Sequence, residues 1–227
     1  PLPDDIRQLF PSEFELTEEL GWVPMGWEIK PLDKIAHYQN GLAMQKFRPD
    51  NESQFLPVLK IAQLKKGATD GKEKAATDIK PSCIVDNGDI VFSWSGSLMV
   101  DIWCGGKAAL NQHLFKVTSK NFPRWYCYLF TVHYLVEFQR IAADKAVTMG
   151  HIKREHLSQA KCVVPPGSLL AAGTKHIESF IKQQITLRIK SKQLEELRDT
   201  LLPKLISGEL RLPPDAGQQP AAVNSSS

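Results

Sequence analysis

Near the end of the chain, apolar residues recur at every seventh position: Phe180, Leu187, Leu194 and Leu201. Ile177, Ile181, Leu197 and Leu205 widen this stripe, while Lys182, Lys190, Lys192, Glu195, Glu196 and Arg198 occupy other faces. A seven-residue apolar repeat with charged flanks predicts a helix packed lengthwise on another helix. The repeat lies between Pro165-Pro166-Gly167 and Ser207-Gly208-Glu209-Leu210. A helix between those brackets is on the order of 50–60 Å long at 1.5 Å per residue. That exceeds the width of a small domain, so the stripe asks for a partner helix or a partner protein. The seam is imperfect, because Gln184, Ser191 and Arg198 fall on its companion positions. Pro203 predicts a kink late in the helix, since it has no N–H for the carbonyl four residues back. Gly208 suits a C-terminal cap.

The preceding residues carry a different pattern. Residues 1–27 form a lead-in of weak periodicity that ends in the Gly-, Pro- and Trp-rich run Leu20–Glu28, a turn with anchoring aromatics. Ile29–Tyr38 predicts a first strand with a helical turn at Leu32–Lys34, and Asn40-Gly41 a turn. Leu42–Ser53 reads as a loop, Phe55–Leu64 as a strand, and Lys65–Lys80 as an exposed basic loop. Strands follow at Cys83–Val85, Ile90–Trp94 and Met99–Cys104, separated by turns at Asp86–Asp89 and Ser95–Ser97. Gly105-Gly106 is a turn, and Leu110–Val117 alternates as a strand. Residues 30–118 are thus expected to form a mainly antiparallel sheet or partly closed barrel. Phe122-Pro123 opens a helix to about Ala143, with an aromatic core stripe of Trp125, Tyr128, Leu129, Val132, Leu135 and Phe138. A loop at 146–151, a helical turn at Ile152–Leu157 and a strand at Ala160–Val164 lead to the Pro165-Pro166 elbow. Residues 212–227 are rich in Pro, Gln, Ala and Ser and are expected to be disordered.

Composition narrows the class without naming a function. The chain has 227 residues, 42% hydrophobic and 23% charged, as in ordinary globular proteins. That is enough for one domain plus an extension. No run approaches the roughly twenty apolar residues of a membrane helix. The start, Pro1-Leu2-Pro3-Asp4-Asp5, lacks the apolar core of a secretory signal, and the missing initiator Met fits processing or excision from something longer. A net charge of +3 permits nucleic-acid binding without arguing for it. Cys83, Cys104, Cys127 and Cys162 form no C-x-x-C pair and have apolar neighbours, which predicts buried free thiols in a reducing cytoplasm rather than a zinc site.

Catalytic signatures are missing. The chain has no G-x-G-x-x-G, P-loop, H-E-x-x-H or G-x-S-x-G. The Asn- or Asp-Pro-Pro-aromatic tetrapeptide usual in DNA amino-methyltransferases is also absent. Pro49-Asp50 followed by Asp70-Gly71-Lys72 loosely matches a nuclease metal site, in which two carboxylates and a lysine hold Mg²⁺ against a phosphate. However, Asp70 falls in a Gly- and Lys-rich stretch unsuited to holding a metal geometry. No catalytic or metal-ligating residue is assigned.

Several short segments, in order, are similar to one family. They are Pro24-Met25-Gly26-Trp27-Glu28, Asn87-Gly88-Asp89-Ile90-Val91-Phe92-Ser93-Trp94-Ser95-Gly96-Ser97 and Leu110-Asn111-Gln112-His113. Val147–Ile152 followed by Val163-Val164-Pro165-Pro166, and Leu202–Leu210, complete the set. Across residues 20–211 the chain resembles one half of the specificity subunit of a type I DNA restriction–modification system. One departure stands out: where the family usually starts its helix with Gln-x-x-Ile, this chain has Gly167–Gly173, which predicts an irregular turn and a helix beginning at a Thr174 cap.

The resemblance implies an α/β (α+β) chain: a strand-rich target-recognition domain at 28–166, then one long coiled-coil-forming helix at 167–211. It implies a non-catalytic subunit that directs methyltransferase and restriction subunits to a bipartite double-stranded DNA target in a bacterial or archaeal cytoplasm. S-adenosylmethionine, ATP and Mg would be used by the partner subunits, with no cofactor in this chain. In the family, two such helices pair antiparallel and hold two recognition domains apart. This chain has one helix, so Ile177, Phe180, Ile181, Leu187, Leu194, Leu197, Leu201 and Leu205 are expected to meet a second half or a second copy.

Reading DNA needs cations for phosphates and polar groups for base edges. Lys46, Arg48, Lys65, Lys66, Lys72 and Lys74 are candidates on two loops able to flank one groove, a solvated lysine face being the plain alternative. Ser93, Ser95 and Ser97 around Gly96 are candidates for close approach, against a simple hairpin turn. Asn111, Gln112 and His113, read as strand residues, are candidates for base contact, Gln112 having the geometry to pair with adenine; at least one is expected to be a buried structural hydrogen bonder. Thr148, His151, Lys153 and Arg154 make a basic patch suited to phosphates.

Overall fold

The computed structural model describes residues 3–51, 53–144 and 150–211. In chain order the elements are α1 (Asp4–Arg7), β1 (Phe14–Thr17), β2 (Gly21–Pro24), β3 (Glu28–Pro31), α2 (Leu32–Ile35) and β4 (His37–Asn40). β5 (Leu56–Leu59), α3 (Ile61–Lys66), β6 (Lys74–Ala75), β7 (Ile84–Val85), β8 (Ile90–Ser93), β9 (Met99–Ile102), β10 (Ala108–Leu110) and β11 (Leu114–Thr118) follow. Then come α4 (Arg124–His133), α5 (Leu135–Asp144), α6 (Arg154–Gln159), β12 (Lys161–Val164) and α7 (Gly167–Ile206).

The expected strand-rich domain is present as two four-stranded sheets, ordered β4-β11-β8-β9 and β6-β5-β10-β7. The first is antiparallel throughout, whereas β10 pairs parallel with β5 in the second. The sheet β4-β11-β8-β9 carries an aromatic core in which Tyr38, Phe92, Phe115 and Phe138 meet ring to ring. Within it, the Tyr38 hydroxyl and Thr131 Oγ1 are 2.8 Å apart, which satisfies two polar groups that have no access to water. The second sheet has its own apolar cluster around Leu59, Leu64, Trp103 and Leu110.

Several expectations are corrected by these contacts. The lead-in is structured: β1 and β2 form a hairpin, Ile6 and Val23 are buried, and the Phe10 and Trp27 rings lie 5.8 Å apart. Ile29–Tyr38 is two strands, because the turn at α2 sends β3 to pair with β12 and β4 to pair with β11. Phe55–Leu64 divides into β5 and α3, and Lys65–Lys80 is not one loop, since Ala75 and Ile79 are buried against Met44 and Val58. The helix from Pro123 is interrupted at Tyr134, whose hydroxyl bonds the Lys161 carbonyl.

The long helix begins at Gly167, not at Thr174. Thr174 is no cap: its hydroxyl donates to Leu170 O at 2.7 Å and accepts from Trp125 Nε1 at 2.9 Å. Gly173 leaves room for the same indole, as a Cβ there would lie 3.2 Å from it. Arg124 Nη2 pairs with Glu178 Oε1 at 2.5 Å. These contacts, and Ile181 within the core, hold the first turns of α7 in place. The helix continues through Pro203, and Gly208 then takes φ +75°, the left-handed cap expected of it. Thr186 and Leu187 mark the boundary between two compact units, residues 1–186 and 187–227.

Candidate nucleic-acid interface

The polar candidates gather at one turn. Asn111, Gln112 and His113 are not strand residues: β10 ends at Leu110, and the three make the tight connection into β11. Backbone bonds fix the turn from both sides. Asn111 N–H donates to Leu59 O at 3.1 Å and Gln112 N–H to Leu42 O at 2.9 Å. Gly41 makes this approach possible, because a Cβ there would lie 2.1 Å from the Leu110 oxygen. Asn40-Gly41 therefore matters for close backbone contact, with an ordinary negative φ at the glycine.

Side chains then divide into scaffold and display. Asn111 is buried, and its Oδ1 accepts from the His113 N–H at 3.2 Å. Ser93 has no exposed surface and donates to the Ser95 carbonyl at 3.1 Å. Ser95 is also buried, and its hydroxyl lies 2.9 Å from His113 Nδ1. Ser93, Ser95 and Asn111, expected as DNA contacts, are thus spent on holding the turn. Gln112 and His113 remain half-exposed, with 3.2 Å between Gln112 Nε2 and His113 Nε2. Gly96 and Ser97 are exposed, and Gly96 takes φ +65° while its N–H bonds Gly150 O. Trp94, not chosen as a candidate, links the groups: its indole donates to Gln112 O at 3.2 Å and its ring faces His113 and His151. Its position between the two serines was the available signal.

The patch after α5 is less basic than expected. Thr148 lies outside the described residues. His151 forms a β-bridge with Ser95. Lys153 pairs with Glu155 at 3.5 Å. Arg154 Nη2 donates to Tyr38 O at 3.1 Å and Asn40 Oδ1 at 2.7 Å, and its guanidinium lies 5.3 Å from the Phe115 ring centre. Arg154 is exposed, and through these bonds it also ties α6 to β4.

The other cations converge elsewhere. A cleft of about 430 Å³ is lined by Met44, Gln45, Arg48, Pro49, Lys72, Glu73 and Lys74, so the two basic stretches do meet. The Ala76 N–H bonds Phe47 O at 2.8 Å and fixes their approach. Lys60 neutralises Glu73, and Lys74 sits 4.5 Å from the Phe55 ring centre. Among the described residues, Lys46, Arg48, Lys65, Lys66 and Lys72 are exposed and make no salt bridge. Lys65 and Lys66 occupy the last turn of α3, where the helix dipole favours cations. Asp70 is fully exposed; the Lys72 N–H at 3.1 Å holds its carboxyl below the ordinary value, followed in effect by Gln63 and the Lys72 charge. One short segment connects turn and cleft: Leu42 bonds Gln112, and Phe47 bonds Ala76. Five residues of extended chain span at most about 18 Å.

The apolar stripe of α7 also divides. Ile181 belongs to the domain core, and Ile177 and Ile185 pack against it, so Ile181 is corrected from partner contact to internal anchor. Phe180, Leu187, Leu194 and Leu197 remain exposed, while Leu201 and Leu205 are half-exposed.

The family profile described as type I restriction modification DNA specificity domain matches residues 24–198. The chain belongs to this family. The type I restriction enzyme MjaIX specificity subunit of Methanocaldococcus jannaschii is 24% identical over 218 residues, covering 92% of this chain and 50% of that protein. The EcoBI specificity subunit of Escherichia coli is 22% identical over 190 residues, 81% of this chain and 39% of that protein. This member of the specificity-domain family thus spans half or less of the length of those relatives. A crystal structure of a type I restriction-modification system S subunit from M. genitalium shares the fold at a TM-score of 0.51 and 14% identity, covering 86% of this chain and 48% of that one. Among the described residues, no helix is long and apolar enough to cross a membrane.

Proposed function

We propose that this chain recognises a specific sequence in double-stranded DNA and brings methyltransferase and restriction subunits to it, without catalysing either reaction. The observation that carries this reading is the joining of the half-exposed Gln112–His113 turn to the Arg48–Lys72 cleft by a single short segment. Exposed cations without a salt bridge, such as Arg48 and Lys72, suit phosphates, which fix register. Preorganised polar groups beside them suit base edges, which carry sequence. S-adenosylmethionine, ATP and Mg belong to the partner subunits in this reading. The exposed stripe of α7 meets the helix of a second recognition half, and the complex works in the cytoplasm.

The test is co-expression with a cognate methyltransferase subunit, followed by mapping of methylated bases across the host genome. Methylation at one defined split motif is expected, and it should be lost in the Gln112→Ala/His113→Ala double variant. A stable complex that methylates no defined motif would contradict the recognition role.

A further inference from the structure

We infer that β1 takes an extended segment of another protein as a third strand, and that this segment alternates basic with apolar side chains. The surface lies in the lead-in, where β1 precedes the residues 24–198 that match the family profile.

The backbone leaves one edge open. β1 and β2 form a two-stranded sheet of their own, so each strand has an outer edge. Met25 N–H donates to Glu13 O at 2.9 Å, in the register that sets Phe14 opposite Pro24. Opposed pairs in an antiparallel ladder alternate between bonded and non-bonded. Glu13–Met25 and Glu15–Val23 are therefore bonded pairs, and Phe14 and Leu16 turn their N–H and C=O groups outward. Pro24 stands at a non-bonded position, where a residue without an N–H costs the ladder nothing. Among the described residues, no backbone bond from outside the hairpin reaches Phe14 or Leu16. The edge of β2 is poorer, since Pro24 has no donor and its carbonyl already accepts from Trp27 N–H at 3.1 Å. An open strand edge is a template for an added chain, and of the two edges β1 offers it.

The faces of β1 say what the added strand carries. Opposed residues share a face, and side chains alternate along each strand. Phe14, Leu16 and Trp22 thus lie together on one face, 53%, 68% and 69% exposed. Glu13 and Glu15 lie on the other face, exposed and, among the described residues, without a salt bridge. A strand laid along β1 sets one row of side chains beside Phe14 and Leu16 and the alternate row beside Glu13 and Glu15. The first row is apolar and the second basic, because opposite charges across a ladder stabilise it and like charges do not.

Charge also separates the possible occupants. Residues 1–28 hold seven acidic side chains and one basic, Arg7, which pairs with Asp4, in a chain whose net charge is +3. Such a surface repels phosphates, so DNA does not fit it. A second copy fits no better, since joining β1 to its own copy brings Glu13 and Glu15 against like charges. A basic segment of another protein satisfies the open edge, the apolar face and the charge together.

The experiment titrates the full chain with a short, end-capped peptide of alternating lysine and valine, beside a version with glutamate for lysine. The lysine peptide is expected to bind, and the glutamate peptide to bind at least about tenfold more weakly. In the complex, hydrogen exchange at the Phe14 and Leu16 amides should slow at least about tenfold. Leu16→Pro removes an outward N–H and no β1–β2 bond; it should keep the far-ultraviolet circular dichroism and abolish binding. Glu15→Lys, which changes no backbone bond, should weaken binding at least about threefold, and it decides the matter if Leu16→Pro disturbs the hairpin. Failure of the lysine peptide to bind overturns the inference. So do equal binding of the two peptides and binding that leaves the Phe14 and Leu16 amides unprotected. Protection of those amides by double-stranded DNA alone, or by self-association of the chain alone, names a different occupant and overturns it too.

Discussion

The turn at residues 93–97 and 111–113 and the cleft between Arg48 and Lys72 are both polar, but they use polarity in opposite ways. In the turn, Ser93, Ser95 and Asn111 are buried and hydrogen-bonded, so their energy goes into the shape of the protein. In the cleft, Arg48 and Lys72 are exposed and without salt bridges, so their charge is left for something outside the chain. Polar residue type alone does not separate displayed groups from their scaffold; the hydrogen-bond partners do.

Substitutions should sort along that divide. The largest effect is expected at Gly41→Ala, where the new Cβ would collide with the Leu110 and Asn111 oxygens. A loss of about 3 kcal/mol or more in denaturant unfolding, with loss of DNA binding, is expected. A stable Gly41→Ala variant with unchanged binding would break the view that this close approach sets the turn. Next comes Asn111→Ala, which leaves the His113 N–H without its acceptor and should cost about 1–2 kcal/mol. It should also blur sequence preference without changing the salt dependence of binding. Arg154→Ala should fall on the same side, costing about 1 kcal/mol or more of stability through Tyr38 and Asn40. If instead it lowers the salt slope by a full contact, Arg154 is a phosphate ligand after all.

The cleft should behave in the reverse manner. Arg48→Ala and Lys72→Ala should leave stability within about 0.5 kcal/mol. They should weaken binding to all sequences and reduce the salt slope by about one each. Lys74→Ala should do less, since its ammonium already sits on Phe55. A changed motif in the Lys72 variant would contradict this assignment.

The smallest effect concerns pH, and it lies in the apolar cluster that holds Cys127 and Cys162. Burial pushes Cys127 up to about 11 and Cys162 up to about 12, from an ordinary 9.0. A raised thiol pKa favours the folded state fully below pH 9, and that advantage disappears as pH rises through the folded-state values. Unfolding midpoints should therefore fall above about pH 9, and Cys127→Ala should flatten the decline. Equal alkaline sensitivity in that variant would assign the effect elsewhere.

Local signals carried much of the fold. Alternation and turn residues placed β8 and β9, because a hairpin is specified within a dozen residues. Reading Leu110–Val117 as one strand failed because the break at Asn111 is imposed by Leu42 and Leu59, which arrive from elsewhere in the chain. The same applies to Phe55–Leu64: its apolar run fits strand or helix, and pairing with β10 decides how much of it is strand. Among the candidate residues, the sequence could not tell buried Ser95 from exposed Ser97, or Arg154, bonded to Tyr38 and Asn40, from Arg48.

By itself the sequence determined the ordered family segments, the strand-rich domain and a long helix with a seven-residue repeat, because each is written in local spacing; the start of that helix at Gly167 was not. Tertiary structure alone decided which stripe of that helix is spent. Ile181 packs into the core while Phe180, one position away, is exposed, because adjacent residues on a helix point about 100° apart. It also decided which polar groups remain available, since that depends on partners brought from distant parts of the chain.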